Sequence, residues 1–211
     1  MNPTAAPFAE LAAQLADIGR HCYAQGWVLG TSGNFSAVVS RDPLRLAITP
    51  SGVDKGQLTA AQMVEIDGDG TVVAGSGSPS AEASLHLTIA QVRHAGAVLH
   101  THSIWSTLLS DTTAEAGLAI EQYEMLKGLD GVGTHVHREW LPILDNTQDW
   151  RAAVPRVESL LTEQPHAHGF LIRRHGLYTW GRDLVAAKRQ VEILEFLLEV
   201  MGRKRGMTWQ P

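Results

Sequence analysis

Apolar residues recur along this chain with two periods. Leu11, Leu15, Ile18 and Cys22 stand three or four apart. That is the spacing of one helix face, and it predicts an amphipathic helix from about Ala9 to Gln25, ended by Gly26. Cys22 on that stripe reads as a small core residue. Phe35 to Val39 and Leu44 to Thr49 predict strands around the turn Arg41-Asp42-Pro43. Met63 to Ile66 and Thr71 to Ala74 predict a hairpin around Asp67-Gly68-Asp69-Gly70. Ser78-Pro79 is expected to open a second helix, with Pro79 in its first position and Leu85, Ile89 and Val92 on its buried stripe. A strand ending in His100 and His102 follows, then a short helix from Ile104 to Leu109. Gly133 to Trp140 and Gly169 to Arg174 read as further strands. Thr147 to Thr162 is helical in pattern, with a kink or a late start expected at Pro155. Asp183 caps the last helix, whose stripe is Leu184, Ala187, Val191, Leu194 and Leu198. Ile193, Phe196, Leu197 and Val200 widen its apolar arc, as deep burial or a subunit interface requires.

Short strands, many of them hairpin-linked, with helices between groups of them predict a mixed α/β fold. The expectation is a single domain over residues 1–211 with a largely antiparallel sheet flanked by helices. A net charge of −5 leaves no electrostatic footprint for nucleic acid. Arg203-Lys204-Arg205 reads as complement to a helix C-terminal dipole. A single cysteine excludes an internal disulfide and suits a reducing cytoplasm. No apolar run approaches the roughly 18 residues of a membrane span. Met1-Asn2-Pro3-Thr4 lacks the features of a signal peptide.

The chemistry concentrates in histidine. Ala97-Val98-Leu99-His100-Thr101-His102 is a buried-strand pattern ending in two imidazoles. Side chains alternate along a strand, so His100 and His102 share a face and form half of a metal site. The best third ligand is His175, at the end of Phe170-Leu171-Ile172-Arg173-Arg174-His175-Gly176. Three histidines leave coordination positions open, as in catalytic rather than structural sites. Ten histidines and two more His-x-His pairs keep the alternatives in view. His135 and His137 read as part of an edge strand, and His166 and His168 as solvent-facing.

Three small-residue turns offer hydroxyls and backbone N–H groups, the materials of a phosphate cradle, although each could be an ordinary turn. They are Gly30-Thr31-Ser32-Gly33-Asn34, Thr49-Pro50-Ser51-Gly52 and Ser78-Pro79-Ser80-Ala81-Glu82, with Lys55 as a nearby positive charge. In this order, with His100-Thr101-His102 and His175-Gly176, they resemble the class II sugar-phosphate aldolase and epimerase superfamily from about Leu11 to Gly202. Two segments carry a narrower likeness to its methylthioribulose-1-phosphate dehydratase family: Glu121-Gln122-Tyr123-Glu124-Met125-Leu126-Lys127-Gly128, and Arg173 through Gly181.

The resemblance implies an α/β domain with a mainly antiparallel sheet, a homotetramer with sites where subunits meet, and a sugar-phosphate substrate. It implies one Zn²⁺ per chain on His100, His102 and His175, acting as a Lewis acid. Gly33, Asn34, Ser51, Gly52 and Ser80 would hold the substrate phosphate. Glu124 would be the acid/base, with Glu82 as a secondary acid/base. The implied reaction is dehydration of 5-methylthioribulose 1-phosphate in methionine salvage. The alternative within the superfamily is an aldolase or epimerase acting on a fuculose- or ribulose-type phosphate. Trp105, Leu126 or Tyr123 could wall an apolar pocket.

Overall fold

Nine strands pair in the order β4-β3-β2-β1-β5-β9-β8-β7-β6. They are β1 (Asn34–Arg41), β2 (Leu44–Ile48), β3 (Val64–Asp67), β4 (Val72–Ala74), β5 (Ala97–Thr101), β6 (Gly117–Glu121), β7 (Arg138–Leu144), β8 (Gly169–Ile172) and β9 (Gly176–Gly181). The computed structural model describes residues 8–207, so Met1 to Thr4 lie outside the described residues. Every neighbouring pair is antiparallel except β7 and β8, which run parallel. Five helices flank the sheet: α1 (Phe8–Ala24), α2 (Ala83–Val92), α3 (Ile104–Thr112), α4 (Trp150–Glu163) and α5 (Leu184–Met207).

Strand alternation divides the core. Ala97 and Leu99 of β5 pack with the apolar stripes of α1 and α5. Val98 packs on the other face with Leu85 and Ile89 of α2, Val157 and Leu161 of α4, and Tyr178 of β9. β5 therefore lies mid-sheet, buried on both faces, with β1 on one side and β9 on the other. β5 and β9 come close enough that a Cβ added to Gly176 would stand 2.0 Å from the Thr101 carbonyl oxygen. We expect Gly176→Ala to destabilise the protein by about 1–3 kcal/mol, the usual range for overpacking. Urea unfolding would show this as a lower midpoint at unchanged slope.

Several sequence expectations need correction. Residues 133–137 form a turn instead of a strand, and β7 begins only at Arg138. The His137 N–H closes on the Thr134 carbonyl at 3.3 Å and the Val136 N–H on Thr134 Oγ1 at 3.2 Å, so these backbone groups bond locally and not to a neighbouring strand. The second helix starts at Ala83, not Pro79, because Pro79 bridges Pro50 and holds the small-residue turns together. α4 does not wait for Pro155: Asp149 caps it by accepting from the Ala152 N–H at 3.0 Å, and Pro155 sits inside its second turn. β6 and β9 carry no strand expectation above. β9 is Gly-Leu-Tyr-Thr-Trp-Gly, buried along its whole length, so it shows no polar–apolar alternation. The apolar arc of α5 is mainly deep burial, since Ile193 and Leu197 lie in the core and Phe196 is exposed. Cys22 is a buried free thiol in the α1 stripe, as its spacing predicts.

Candidate metal centre

The register of β5 sets the first two ligands. His100 pairs across the sheet with Asn34 of β1 and Tyr178 of β9. Its ring stacks on Tyr178 at 4.0 Å between centroids. His102 lies just past the strand, where its backbone N–H donates to the Trp27 carbonyl at 2.7 Å. Ser103 then caps α3 and stops the chain from running on as strand. His175 stands in the tight β8–β9 connection, turned by Arg174 at φ +58°. Arg174 and its neighbour anchor that turn on and beside α3. Arg174 pairs with Asp111 at 2.6 Å, and Arg173 donates to the carbonyl oxygens of Ser110 and Thr113 at 2.7 and 3.0 Å.

The three Nε2 atoms converge. His100 to His102 is 2.8 Å, His102 to His175 is 3.0 Å and His100 to His175 is 3.3 Å. His100 Nδ1 donates to the Leu177 carbonyl at 2.9 Å, so its Nε2 presents a lone pair to the cluster. His175 Nδ1 faces Asn146 Oδ1 at 3.3 Å, which sets the same tautomer. Lone pairs converging in this way repel one another unless a cation lies between them. Nitrogen ligands around tetrahedral zinc stand about 3.3 Å apart, so the residues fit a divalent metal. Protonation is opposed too. Burial, followed by the neighbouring His175, pushes His100 well below the usual histidine range. Burial and the facing His100 and His175 bring His102 down to about 2. Burial also lowers His175.

Glu82 joins the cluster from the N-terminus of α2. Its Oε2 is 3.3 Å from His100 Nε2 and its Oε1 is 3.3 Å from His175 Nε2. A buried relay fixes this carboxylate. Ser36 Oγ bonds His86 Nδ1 at 2.7 Å, and His86 Nε2 bonds Asn34 Oδ1. Asn34 Nδ2 donates to Glu82 Oε2 at 2.6 Å, and the Tyr178 hydroxyl donates to the same oxygen at 3.0 Å. A carboxylate only accepts, so the donors run outward from Ser36 through a neutral His86 to Glu82. Burial lowers the His86 pKa to about 4, in keeping with that neutral form. On the opposite face of β5, Thr101 donates to the buried carboxyl of Glu195 on α5. Burial raises the Glu195 pKa to about 7.

The three small-residue turns meet beside this cluster. Gly33, Asn34, Ser51, Gly52 and Ser80 line one cavity of about 150 Å³, together with Lys55, Glu82 and His102. Lys55 is buried, and its Nζ donates to the Val53 and Thr31 carbonyl oxygens at 2.8 and 3.2 Å. Burial lowers its pKa to about 8, still above neutral. The cavity thus offers hydroxyls, glycine backbone and a cation next to the metal ligands.

Glu124 lies elsewhere. It opens a short 3₁₀ turn, Glu124–Gly128, and its exposed carboxylate pairs with Lys127 at 2.7 Å and His135 at 3.8 Å. Its hydrogen bond to Lys127 holds its pKa below the usual range. Leu126 is fully buried in the core and cannot wall a pocket, and Trp105 packs on Gly202 of α5. An aromatic neighbour that the sequence reading missed is Trp150, whose ring lies 5.4 Å from that of His175. His168 also departs from expectation. It is part-buried against Glu139, whereas His166 is exposed as expected.

Residues 13–201 match the Class II Aldolase and Adducin N-terminal domain family. A methylthioribulose-1-phosphate dehydratase from Sorangium cellulosum is 41% identical over 96% of this chain and 96% of its own length. One from Pseudomonas aeruginosa is 42% identical over 90% and 92%. The chain belongs to the methylthioribulose-1-phosphate dehydratase family of class II aldolase-like proteins. Solved structures agree on the fold. An L-fuculose 1-phosphate aldolase superposes with a TM-score of 0.79 at 21% identity over 99% of this chain and 92% of that one. The L-fuculose-1-phosphate aldolase of Thermus thermophilus gives 0.75 at 23% over 97% and 100%. Members of this dehydratase family and such aldolases thus share one scaffold. No helix among the described residues is long and apolar enough to cross a membrane.

Proposed function

We propose that this protein dehydrates 5-methylthioribulose 1-phosphate to 2,3-diketo-5-methylthiopentyl 1-phosphate in methionine salvage, in the cytoplasm. The observation that carries the reading is the convergence of three unprotonated imidazoles beside a hydroxyl-lined cavity, in a chain of this family. His100, His102 and His175 would hold one zinc per chain, which supplies Lewis acidity toward the substrate's oxygens. Ser51, Gly52, Ser80 and the Gly33–Asn34 backbone bind the phosphate. Glu124 takes the C3 proton and returns it to the departing C4 hydroxyl, releasing water and leaving an enol that ketonises. In its own chain Glu124 does not meet the cluster, so a neighbouring subunit of a homotetramer supplies it. The direct test is mass analysis after incubating metal-replete protein with this substrate. Loss of one water supports the reading, and a pair of shorter carbonyl compounds overturns it.

Glu82 gives a second reading its footing. An aldolase or epimerase needs an acid/base at the metal, and Glu82 stands there. Two donors already engage its Oε2, which favours a holding role. We expect Glu82→Gln to lower kcat roughly tenfold, as changes around metal ligands do.

Ser51→Asp tests the cradle. Ser51 is exposed on the cavity rim, whereas Ser80 already accepts hydrogen bonds from Asn34 Nδ2 and the Glu82 N–H. A carboxylate at 51 should raise KM about tenfold or more by repelling phosphate, with metal content unchanged. An unchanged KM would remove Ser51 from the cradle.

A further inference from the structure

His137, Glu139 and His168 form a second cluster of metal-ligating groups. Its plan repeats the first: two residues at i and i+2 on one strand register, and a histidine beside the neighbouring strand. His137 and Glu139 flank the start of β7, and His168 immediately precedes β8, its parallel neighbour. Glu139 Oε2 lies 2.9 Å from His137 Nε2 and 2.8 Å from His168 Nδ1.

We propose that these three side chains bind a second divalent transition-metal ion. Two imidazoles and a carboxylate suit zinc, cobalt, nickel or iron(II). Donor atoms around such an ion stand about 2.9–3.3 Å apart, so the cluster needs to open by only tenths of an ångström. The outer contacts are those of a ligand set. His168 Nε2 faces the Asp130 carbonyl at 2.8 Å and donates to it, which leaves Nδ1 as the ligating atom. Glu139 Oε1 accepts the His168 backbone N–H at 2.9 Å, which leaves Oε2 for the ion.

Charge argues the same way. The Glu139 side chain is only 1% exposed, and a buried carboxylate needs a cation. Nearby arginines are engaged elsewhere. Arg93 donates to the Pro165 and Ala167 carbonyl oxygens at 2.6 and 3.2 Å, and Arg182 reaches Asp183 and Asp130. The imidazoles of His137 and His168 are what face it, and they can carry either a proton or a metal.

A cavity of about 910 Å³ opens beside His137 and His168, giving an ion access and room for exchangeable ligands. Gly181, at the far end of β9 from His175, also lines it. The second ion would tie the 130–137 segment to β8, and with it His135, the neighbour of Glu124.

Metal stoichiometry decides the matter without reference to catalysis. Protein stripped with a chelator, reloaded with zinc and freed of loose ion should carry two zinc ions per chain by mass spectrometry of the elements. His137→Gln/His168→Gln should carry one, and so should His100→Ala/His102→Ala. One ion per wild-type chain, or two in the His137→Gln/His168→Gln variant, would overturn the proposal and leave a proton-bridged pair. Should that variant fail to fold, cobalt added to protein with one zinc already bound decides. One further cobalt per chain, with the zinc retained, supports the second site; no bound cobalt overturns it.

Discussion

Glu124→Gln is expected to lower kcat by roughly 10²- to 10⁴-fold, the usual worth of a general acid/base, while the protein keeps its metal. Glutamine preserves the size of the side chain and removes the group that titrates. The exposed position of Glu124 makes misfolding a poor explanation for any loss. Supply from a neighbouring subunit adds a sharper test. Chains carrying Glu124→Gln and chains carrying His102→Ala are each inactive alone. Mixed in equal amounts by unfolding and refolding together, they should recover about a quarter of wild-type activity, because that share of sites pairs intact ligands with an intact neighbour. No recovery, in assemblies that sedimentation shows to be mixed, would place the acid/base within one chain and make Glu82 the better choice.

His100→Ala/His102→Ala is expected to abolish zinc binding at the first site and to lower activity by roughly 10³-fold or more. That follows if the metal supplies several kcal/mol of transition-state stabilisation. The loss should be selective, because His100 and His102 lie at one end of β5 while the strand's packing rests on Ala97, Val98 and Leu99. Chelation of the wild-type protein should produce the same loss, reversed by added zinc. An active double variant would show that the converging histidines do not hold the catalytic ion.

The two kinds of residue in the site were not equally legible. His100 and His102 could be read from sequence because a period of two and an apolar run fix both their face and their place at a strand end. Glu82 was ambiguous because any first-turn glutamate satisfies a helix dipole. Its actual partners, Asn34 and Tyr178, are 48 and 96 residues away. His86 and Ser36 carried no signal, since a buried histidine on a helix stripe looks like core until its hydrogen bonds are seen. His168 looked solvent-facing from its polar flanks, but Glu139 meets it from a strand 29 residues earlier. The strand expected over 133–140 failed at 133–137 because alternation alone does not distinguish a ladder from a turn, while 138–140 did become the start of β7. β9 was missed for the converse reason: full burial erases alternation.

The assembly of the first metal site spans the whole chain. Asn34 pairs with His100 across 66 residues, and His100 with Tyr178 across 78. Such long-range pairings form late, because loop closure must come before they are rewarded. A chain still emerging from the ribosome, or one cut before β8, would lack His175 and hold only the His100–His102 pair of the three histidines. Strong metal binding by these residues would therefore require the closed sheet. Free zinc should favour that state by mass action, raising the unfolding temperature as its concentration exceeds the dissociation constant. Zinc supply would then govern how much of this protein survives proteolysis as well as how fast it works.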